Sequence, residues 1–361
     1  MKIMSVVGAR PNFMKAAPVI AALRERKFCE QRLVHTDQHY DDKLSRVFFD
    51  ELGLPKPDVH LGVGSKSHTQ QTAEIMLRFE KVLQEEAPSL VVVYGDVNST
   101  VACALVCAKM GVPVAHVEAG LRSFDRTMPE EINRLVTDAI STYLFTTEPS
   151  ADRNLAHEGV PPERVFFVGN VMVDTLMRFR TKAMASNILN DLGLHPQGYA
   201  VLTLHRPSNV DDNETLRGVL DTLSAIAKKL PVVFPCHPRT QARIASSQLV
   251  CDGVRLLDPL GYLDFLCLTS QARIVITDSG GIQEETTVLG IPCLTLRDNT
   301  ERPVTIEQGT NVLVGNNRER ILTAAAKVLN GGSHEGRVPE LWDGRAAVRI
   351  AEVLVKKLGR G

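Results

Sequence analysis

Short apolar runs that alternate with helical periods recur along almost the whole chain, and this pattern constrains the fold more than any other feature. Runs such as Leu90–Tyr94 and Ile274–Thr277 are typical of strands that a parallel sheet buries on both faces. The helical periods between the runs indicate βα units. The sequence therefore predicts an α/β fold with parallel sheets.

The alternation is interrupted once, between residues 181 and 198, by a polar stretch that contains Asn, Gly and Pro. A length of 361 residues is also too great for one ordinary core. We therefore predict two Rossmann-like, doubly wound domains with an interdomain cleft, over residues 1–181 and 199–340. Residues 341–361 are predicted to carry a closing helix, over 341–358, that returns to the first domain.

Composition limits the partners and the compartment. The 41 Lys and Arg residues nearly balance 42 Asp and Glu residues, which argues against a general binder of nucleic acid or membrane surfaces. No apolar run has the length of a membrane span, and the first residues lack the features of a signal peptide. The seven cysteines are scattered, so we expect free thiols, no zinc site and a cytoplasmic protein.

Charged residues cluster between positions 116 and 134, directly after the apolar run 112–115 and before a helix that Pro129 can open. Glu118 would end a buried strand, where a charge needs a partner or a function. Glu130 and Glu131 would lie in the first helical turn, where carboxylates complement the helix dipole, and Glu130 can pair with Arg134. A structural role for the two glutamates is therefore as well supported as a catalytic one.

Two further strand ends in the first half carry polar residues. Arg10 and Lys15 open the first predicted helix, where they suit a phosphate or carboxylate, although solvated residues after a tight turn are an equal alternative. Asp96 follows another strand and can cap a helix. If its strand neighbours that of Glu118, two carboxylates face one cleft and can remove and deliver a proton on different faces of a substrate.

Strand ends in the second half carry histidine next to arginine. His205 precedes Arg206 and His237 lies close to Arg239, and this repeated pairing predicts an anion-binding rim. Neither a dinucleotide-binding fingerprint nor a P-loop occurs in the chain.

The most specific motif is Thr277 to Glu285, in which a strand runs directly into Ser279, Gly280 and Gly281. Their backbone N–H groups at a helix start can meet a phosphate without an obstructing Cβ. Glu285 would then reach a ribose hydroxyl. Arg297 and Arg302 follow the next strand and would add positive charge for a diphosphate.

These motifs resemble the non-hydrolysing UDP-N-acetylglucosamine 2-epimerases, in the same order and over nearly the whole chain. The resemblance implies the two-domain architecture of the B-type glycosyltransferases, a cytoplasmic homodimer and a reaction without nicotinamide or metal. The implied reaction interconverts UDP-N-acetylglucosamine and UDP-N-acetylmannosamine, a precursor of cell-surface polysaccharides. The segments that carry the resemblance are residues 8–11, 95–100, 116–134, 277–285 and 300–303.

The resemblance also implies roles for individual residues, which fall into three sets. The implied catalytic set is Asp96, Glu118, Glu130 and His205. The implied nucleotide-sugar ligands, with His237 added from the anion-binding rim, are Arg10, Lys15, Phe265 beside the uracil, Ser279, Gly280, Gly281, Glu285 and Arg302. Some members bind a second, activating UDP-N-acetylglucosamine, and the candidates for that site are Gln38, His39 and Gln70.

One departure from the family concerns the substrate. Ser208 stands where the family usually has glutamate, which leaves the sugar substituents open. The expected mechanism begins with departure of UDP, because the C2 hydrogen becomes acidic only as C1 gains oxocarbenium character. A carboxylate then removes the C2 proton to leave 2-acetamidoglucal, and UDP adds back after protonation of the opposite face.

Four other functions remain open from the sequence. Within the epimerases, the chain can be a hydrolysing enzyme that releases free N-acetylmannosamine, or an epimerase of a diacetamido uronate. A B-type glycosyltransferase shares the architecture but needs an acceptor. A nucleotide-sugar sensor would bind the same ligand without turnover.

Overall fold

The computed structural model of the chain describes residues 1–38, 51–249, 251–332 and 336–359. The chain folds into two compact units, the first made of Met1–Arg178 with Glu340–Gly361 and the second of Phe179–Pro339. Each unit has a parallel sheet flanked by helices. The predicted α/β class with two Rossmann-like domains is therefore confirmed.

The first unit contains a seven-stranded sheet in the order β3-β2-β1-β4-β5-β6-β7. The order reverses between β1 and β4, which is where open α/β sheets bind ligands. The strands are β1 Lys2–Val7, β2 Glu30–His35, β3 Val59–His60, β4 Leu90–Tyr94, β5 Val114–Ala119, β6 Tyr143–Thr146 and β7 Val165–Phe167. The helices are α1 Arg10–Arg26, α2 His68–Glu86, α3 Asn98–Lys109, α4 Pro129–Ile140, α5 Pro149–His157, α6 Val171–Ala183 and, at the end of the chain, α15 Ala346–Leu358.

The second unit repeats this topology with six strands in the order β10-β9-β8-β11-β12-β13. Its order reverses between β8 and β11 in the same way. The strands are β8 Ala200–Thr203, β9 Val232–Pro235, β10 Val254–Leu257, β11 Ile274–Thr277, β12 Cys293–Thr295 and β13 Asn311–Leu313. The helices are α7 Ile188–Asp191, α8 Pro207–Val210, α9 Asn213–Ala227, α10 Pro238–Ser246, α11 Tyr262–Ser270, α12 Gly280–Leu289, α13 Val304–Glu307 and α14 Arg318–Leu329.

Burial explains why these segments form strands and helices. All five residues of β4 are buried, as its continuous apolar run predicts for a central parallel strand. Helix α3 is buried over most of its length. Val97 is its N-cap, and the Asn98 side chain donates to Gln71 Oε1 at 2.8 Å.

The connection between the units is more ordered than its composition indicates. The polar stretch 181–198 contains the end of α6 and the whole of α7. Leu189 of α7 packs in an apolar cluster with Tyr199 and Val201 of the second unit. The division between the units falls after Arg178, within α6.

The closing helix begins at Ala346, five residues later than the predicted start at residue 341. Leu341 has a left-handed φ of 60°, which interrupts helical geometry, and the buried Trp342 donates to the Thr147 carbonyl at 2.9 Å. The Asp174 carboxylate accepts the N–H groups of Ala346 and Ala347 at 3.1 and 2.7 Å. These contacts hold α15 in the first unit.

Candidate active site

Asp96 and Glu118 lie at the carboxyl edge of the first sheet, at its reversal point and one strand beyond. Strands β4 and β5 are hydrogen-bonded neighbours, with Tyr94 opposite Val117, so the predicted adjacency is confirmed. Glu118 is only 3 % exposed and has a φ of 76°, and the register of β5 shifts between Val117 and Ala119. Positive φ is uncommon outside glycine and here directs a charged side chain at the sheet edge.

Lysine and arginine side chains contact these carboxylates. The Lys15 ammonium forms a buried ion pair with Glu118. A Cβ at Gly95 would lie 2.6 Å from Lys15 Nζ and would displace that ammonium. Arg134 contacts Asp96. Each carboxylate at this edge is therefore paired with a cation, Lys15 from α1 or Arg134 from α4.

Glu131 has the structural role, which is one of the two roles that the sequence left open. It accepts the backbone N–H groups of Ser123 and Phe124 at 3.0 and 2.9 Å, and Arg134 Nη2 contacts it at 2.6 Å. Burial alone would raise the pKa of Glu131, but these donors outweigh it and hold the pKa below its usual value. The neighbouring Glu130 is half-buried in the same first turn of α4.

In the second unit, Asp278 organises the sheet edge at the reversal point. It is fully buried at the end of β11 and accepts the backbone N–H groups of His205 and Arg206 at 3.1 and 3.0 Å. The Nδ1 atom of His205 lies 2.7 Å from Asp278 Oδ1, while 59 % of the His205 side chain is exposed. Burial would raise the pKa of Asp278, but His205, Arg206 and Asn209 lower it. His205 is thus oriented by one nitrogen and presents the rest of its ring to solvent.

The glycine-rich motif packs against an arginine. Gly280 begins α12, and a Cβ there would lie 2.5 Å from Arg302 Nη1. Arg302 Nε lies 2.5 Å from Glu284 Oε1, and Glu301 is surrounded by Arg206, Arg297 and Arg302 at 3.3, 2.8 and 3.5 Å. The arginines are buried or half-buried beside a helix start, where the first N–H groups lack intrahelical partners. This combination suits a phosphate group.

The remaining predicted ligands occupy varied environments. Arg10 is the first residue of α1, and Glu285 is buried on α12. Phe265 of α11 is partly buried and packs against the apolar cluster that contains Leu189 and Tyr199. His237 is exposed and caps α10, accepting the Arg239 N–H at 3.2 Å. Ser279 is the N-cap of α12, and Gly281 is the second residue of that helix.

The residues proposed for a second nucleotide-sugar site are described only in part. Gln38 is buried, and its Oε1 accepts Ser99 Oγ at 2.7 Å and Ser99 N at 3.1 Å. Gln70 is exposed in the first turn of α2. His39 lies outside the described residues.

One group within the described ranges has metal-ligand side chains close together, namely His35, Asp37 and His60. The Asp37 Oδ1 atom lies 2.5 Å from His35 Nδ1 and 3.1 Å from His60 Nδ1. Ligands of one zinc ion, each about 2 Å from the metal, stand farther apart than that shorter contact. Burial would raise the pKa of Asp37, but hydrogen bonds from both histidines and from Gly62 N–H lower it to about 2. We therefore describe the group as a hydrogen-bonded cluster.

Several residues with central positions do not emerge from the sequence. Asp278 is indicated only as part of the glycine-rich motif, and the pattern gives Arg134 no single role. No motif singles out the pair His116 and Asp138, although each residue is fully buried. The available signal is the same in each case, since a charge within a buried segment needs a partner.

One Rossmann-type sheet has carboxylates at its reversal point, and the other has arginines beside the start of a helix. Together they define a class of α/β enzymes that act on phosphate-bearing substrates.

None of the helices in the described ranges has the length and apolar character that crossing a bilayer requires.

Comparison with known proteins makes the assignment more specific. Residues 21–355 match the model of the UDP-N-acetylglucosamine 2-epimerase family. The UDP-N-acetylglucosamine 2-epimerase of Methanocaldococcus jannaschii is 43% identical over 341 residues, covering 91% of this chain and 93% of the relative. The UDP-2,3-diacetamido-2,3-dideoxy-D-glucuronate 2-epimerase of Pseudomonas aeruginosa is 41% identical over 360 residues, covering 99% of this chain and 100% of the relative.

Solved structures agree with the sequence relatives. The crystal structure of the M. jannaschii enzyme in complex with UDP-GlcNAc and UDP has a TM-score of 0.92, at 41% identity, and covers 99% of this chain and 100% of that one. The chain therefore belongs to the UDP-N-acetylglucosamine 2-epimerase family and is an isomerase.

Proposed function

We propose that the chain interconverts UDP-N-acetylglucosamine and UDP-N-acetylmannosamine by eliminating UDP and adding it back. The observation that carries the proposal is the convergence of Asp96 and Glu118 on one sheet edge, each beside a cation. Epimerisation at C2 needs one group to remove a proton and another to return it on the opposite face. Two carboxylates on neighbouring strands meet that need.

Departure of UDP is the first step of the proposed reaction. As the bond from C1 to the phosphate oxygen breaks, negative charge grows on the diphosphate and C1 gains oxocarbenium character. Arg302 and the N–H groups of Gly280 and Gly281 can stabilise that charge, an electrostatic contribution worth several kcal/mol in comparable sites. His205, held at one nitrogen by Asp278, is the proposed additional donor to the leaving phosphate.

Proton transfer follows from the oxocarbenium-like state. The electron pair of the C2–H bond forms the C1–C2 double bond of 2-acetamidoglucal, and the proton passes to a carboxylate. We propose that Asp96, Glu118 and Glu130 share the roles of base, acid and stabiliser of the cationic sugar. Protonation of the opposite face of C2 and addition of UDP at C1 then complete the inversion.

Product analysis tests the reaction type. The enzyme is incubated with UDP-N-acetylglucosamine and no acceptor, and the mixture is followed by proton and phosphorus NMR. The proposal predicts a stable mixture of two UDP-sugars. Accumulation of free N-acetylmannosamine with UDP would identify a hydrolysing enzyme instead, and an unchanged substrate would exclude epimerisation of this sugar.

A second candidate substrate is a UDP-linked diacetamido uronate. It is supported by the P. aeruginosa relative, whose identity to this chain is 41%, and by Ser208 at a position where glutamate is usual. Parallel rate measurements with both UDP-sugars separate the two. A higher kcat/KM for the uronate would transfer the assignment to that substrate.

We further propose a homodimer, with association through α2 and α3. Leu77 and Met110 are 65% and 37% exposed at these helices, more than apolar side chains of this size usually are. The Leu77→Glu variant should shift the mass measured by light scattering toward the monomer. An unchanged mass would assign the contact elsewhere.

We also propose an activating site and a cytoplasmic location. Gln70, exposed in α2, is the accessible candidate for binding a second UDP-N-acetylglucosamine. Activation should appear as a sigmoidal dependence of rate on substrate concentration, and Gln70→Ala should make it hyperbolic. The seven free thiols support a reducing cytoplasm.

A further inference from the structure

A buried ion network lies beneath the carboxylate-bearing edge of the first sheet. His116 of β5 and Asp138 of α4 are both 0% exposed, and their Nδ1 and Oδ1 atoms are 2.6 Å apart. Neither residue is assigned a step in the proposed reaction. Their partners nevertheless lie in the backbone next to Asp96 and Glu118.

Both nitrogens of the His116 ring have a hydrogen-bonding partner. Its Nε2 lies 2.8 Å from the Gly95 carbonyl oxygen, which can only accept, so Nε2 donates. Its Nδ1 lies 2.6 Å from Asp138 Oδ1. Burial would raise the pKa of Asp138, but His116 and Arg122 outweigh it and hold the pKa below its usual value. The ring is therefore held at both of its nitrogens.

His116 and Asp138 each bind the backbone next to one of the two carboxylate residues. His116 binds the carbonyl of Gly95, which directly precedes Asp96. Asp138 Oδ2 accepts the Gly120 N–H at 3.0 Å, two residues after Glu118.

Both of these glycines have left-handed φ values, 63° at Gly95 and 79° at Gly120. Glycine adopts this conformation without strain, whereas few other residues do, so both turns depend on glycine. At Gly120 a Cβ would also lie 2.6 Å from the Ala151 carbonyl oxygen.

Arg122 and Glu158 complete the network. Arg122 Nη1 lies 2.7 Å from Asp138 Oδ2, and its Nε and Nη2 bind the two Glu158 oxygens at 2.8 and 2.6 Å. Arg122 is buried, whereas 34% of the Glu158 side chain is exposed. The network is rigid, because moving one of its buried members leaves a hydrogen-bonding partner unpaired.

We propose that His116 and Asp138 are positioning residues for epimerisation, holding the Gly95–Asp96 and Ala119–Gly120 peptides so that the carboxyl groups of Asp96 and Glu118 keep their reacting geometry. This inference rests on the proposed function of those carboxylates. Displacement of about 1 Å at a reacting group can cost on the order of 100-fold in rate. Loss of the pair should therefore lower kcat and leave the KM for the UDP-sugar nearly unchanged.

The test compares two replacements of His116. Met fills a similar volume but has no donor for the Gly95 carbonyl, whereas the amide of Gln restores one. Per folded molecule, kcat of His116→Met should fall about 100-fold and that of His116→Gln less than about 10-fold. A matched control is Asp174→Asn, which alters another buried carboxylate of the first unit that caps α15 and should leave kcat unchanged.

Stability and UDP affinity are measured alongside, by thermal unfolding and calorimetry with UDP. A purely structural role predicts that both His116 variants lose activity only in proportion to unfolded protein. Equal kcat values for His116→Met, His116→Gln and the wild type would overturn the proposal. So would a change confined to KM.

Should His116→Met not fold, Asp138→Asn provides the second test. It replaces the carboxylate by an amide of nearly the same shape and should lower kcat about 10-fold, because the hydrogen bonds to His116 and Gly120 are weakened. Full activity of Asp138→Asn would overturn the proposal. If instead the wild-type enzyme converts no UDP-sugar, the proposed function fails and not the positioning role.

Discussion

Each unit contains a histidine–aspartate pair, on β5 and α4 in the first unit and after β8 and β11 in the second, and the two pairs differ in exposure. In the first unit His116 and Asp138 are wholly buried, and both nitrogens of the ring are bound within the protein. In the second unit Asp278 is equally buried, but 59% of the His205 side chain faces solvent. One histidine can therefore only support its surroundings, while the other can meet a ligand.

The same contrast extends to the charges around each pair. The first edge sets carboxylates against single cations, as in Glu118 with Lys15. The second edge surrounds one carboxylate, Glu301, with three arginines beside the start of α12. We therefore propose that acid–base chemistry belongs to the first unit and phosphate binding to the second, although the strand order is shared.

Glu118→Gln should produce the largest effect, because it removes a proposed acid–base group and leaves the second unit untouched. We expect kcat to fall on the order of 1000-fold. UDP affinity, measured by calorimetry, should stay nearly constant. A large loss of UDP affinity would show that the two edges do not divide the work as described.

The buried carboxylate of Asp174, which accepts two backbone N–H groups, should behave differently from Asp138 and Asp278. Burial raises the pKa of Asp174 to about 6 despite the N–H groups of Ala346 and Ala347. The native state then holds a proton that the unfolded chain releases above the ordinary aspartate pKa of 3.8. Stability from this group is complete below that pH and is lost as pH rises through about 6.

The loss amounts to about 3 kcal/mol, at 1.36 kcal/mol for each pH unit between the two pKa values. Denaturant unfolding of the wild type and Asp174→Asn, between pH 4 and pH 7, measures it as a falling difference in free energy of unfolding. A difference that does not change with pH would contradict the assignment.

His205→Gln should reduce kcat about 100-fold, as expected for loss of a positioned donor to the leaving phosphate. Because most of the side chain is exposed, thermal unfolding should change little. Ready unfolding of this variant would contradict the contrast with His116, since it would make His205 a structural residue as well.

Gly280→Ala tests the phosphate-binding edge with a smaller effect. The new Cβ displaces Arg302, which the proposed reaction uses to stabilise the departing diphosphate, so kcat/KM should fall about 10-fold. Gly218→Ala is the matched control, because a Cβ within α9 meets nothing within 4 Å. It should leave kcat/KM unchanged and stabilise the protein by about 0.5–1 kcal/mol.

Central strands could be predicted from the sequence because their signal is local. Leu90–Tyr94 and Ile274–Thr277 have the predicted bounds, since continuous apolar runs are buried wherever the sheet forms. The two-residue strand Val59–His60 was missed because it offers no periodicity. The early start predicted for the last helix was wrong because Leu341 and Trp342 follow tertiary contacts.

Site residues could be predicted only as far as the strand ends that carry them. The motifs predicted that Asp96, Glu118, His205 and Gly280 lie at sheet edges. The partners could not be predicted, because Lys15 reaches Glu118 from another element and Arg134 selects Asp96 and Glu131 only in the folded chain. The left-handed φ of Glu118 leaves no trace in the sequence.

The central claim is that carboxylates of the first unit exchange the C2 proton of the sugar. It is tested most directly by incubating the wild-type protein and Glu118→Gln with UDP-N-acetylglucosamine in deuterium oxide. Proton NMR of both recovered UDP-sugars should show deuterium at C2 for the wild type and almost none for the variant at equal UDP occupancy. Epimerisation by the wild type with C2 still carrying hydrogen would contradict the account.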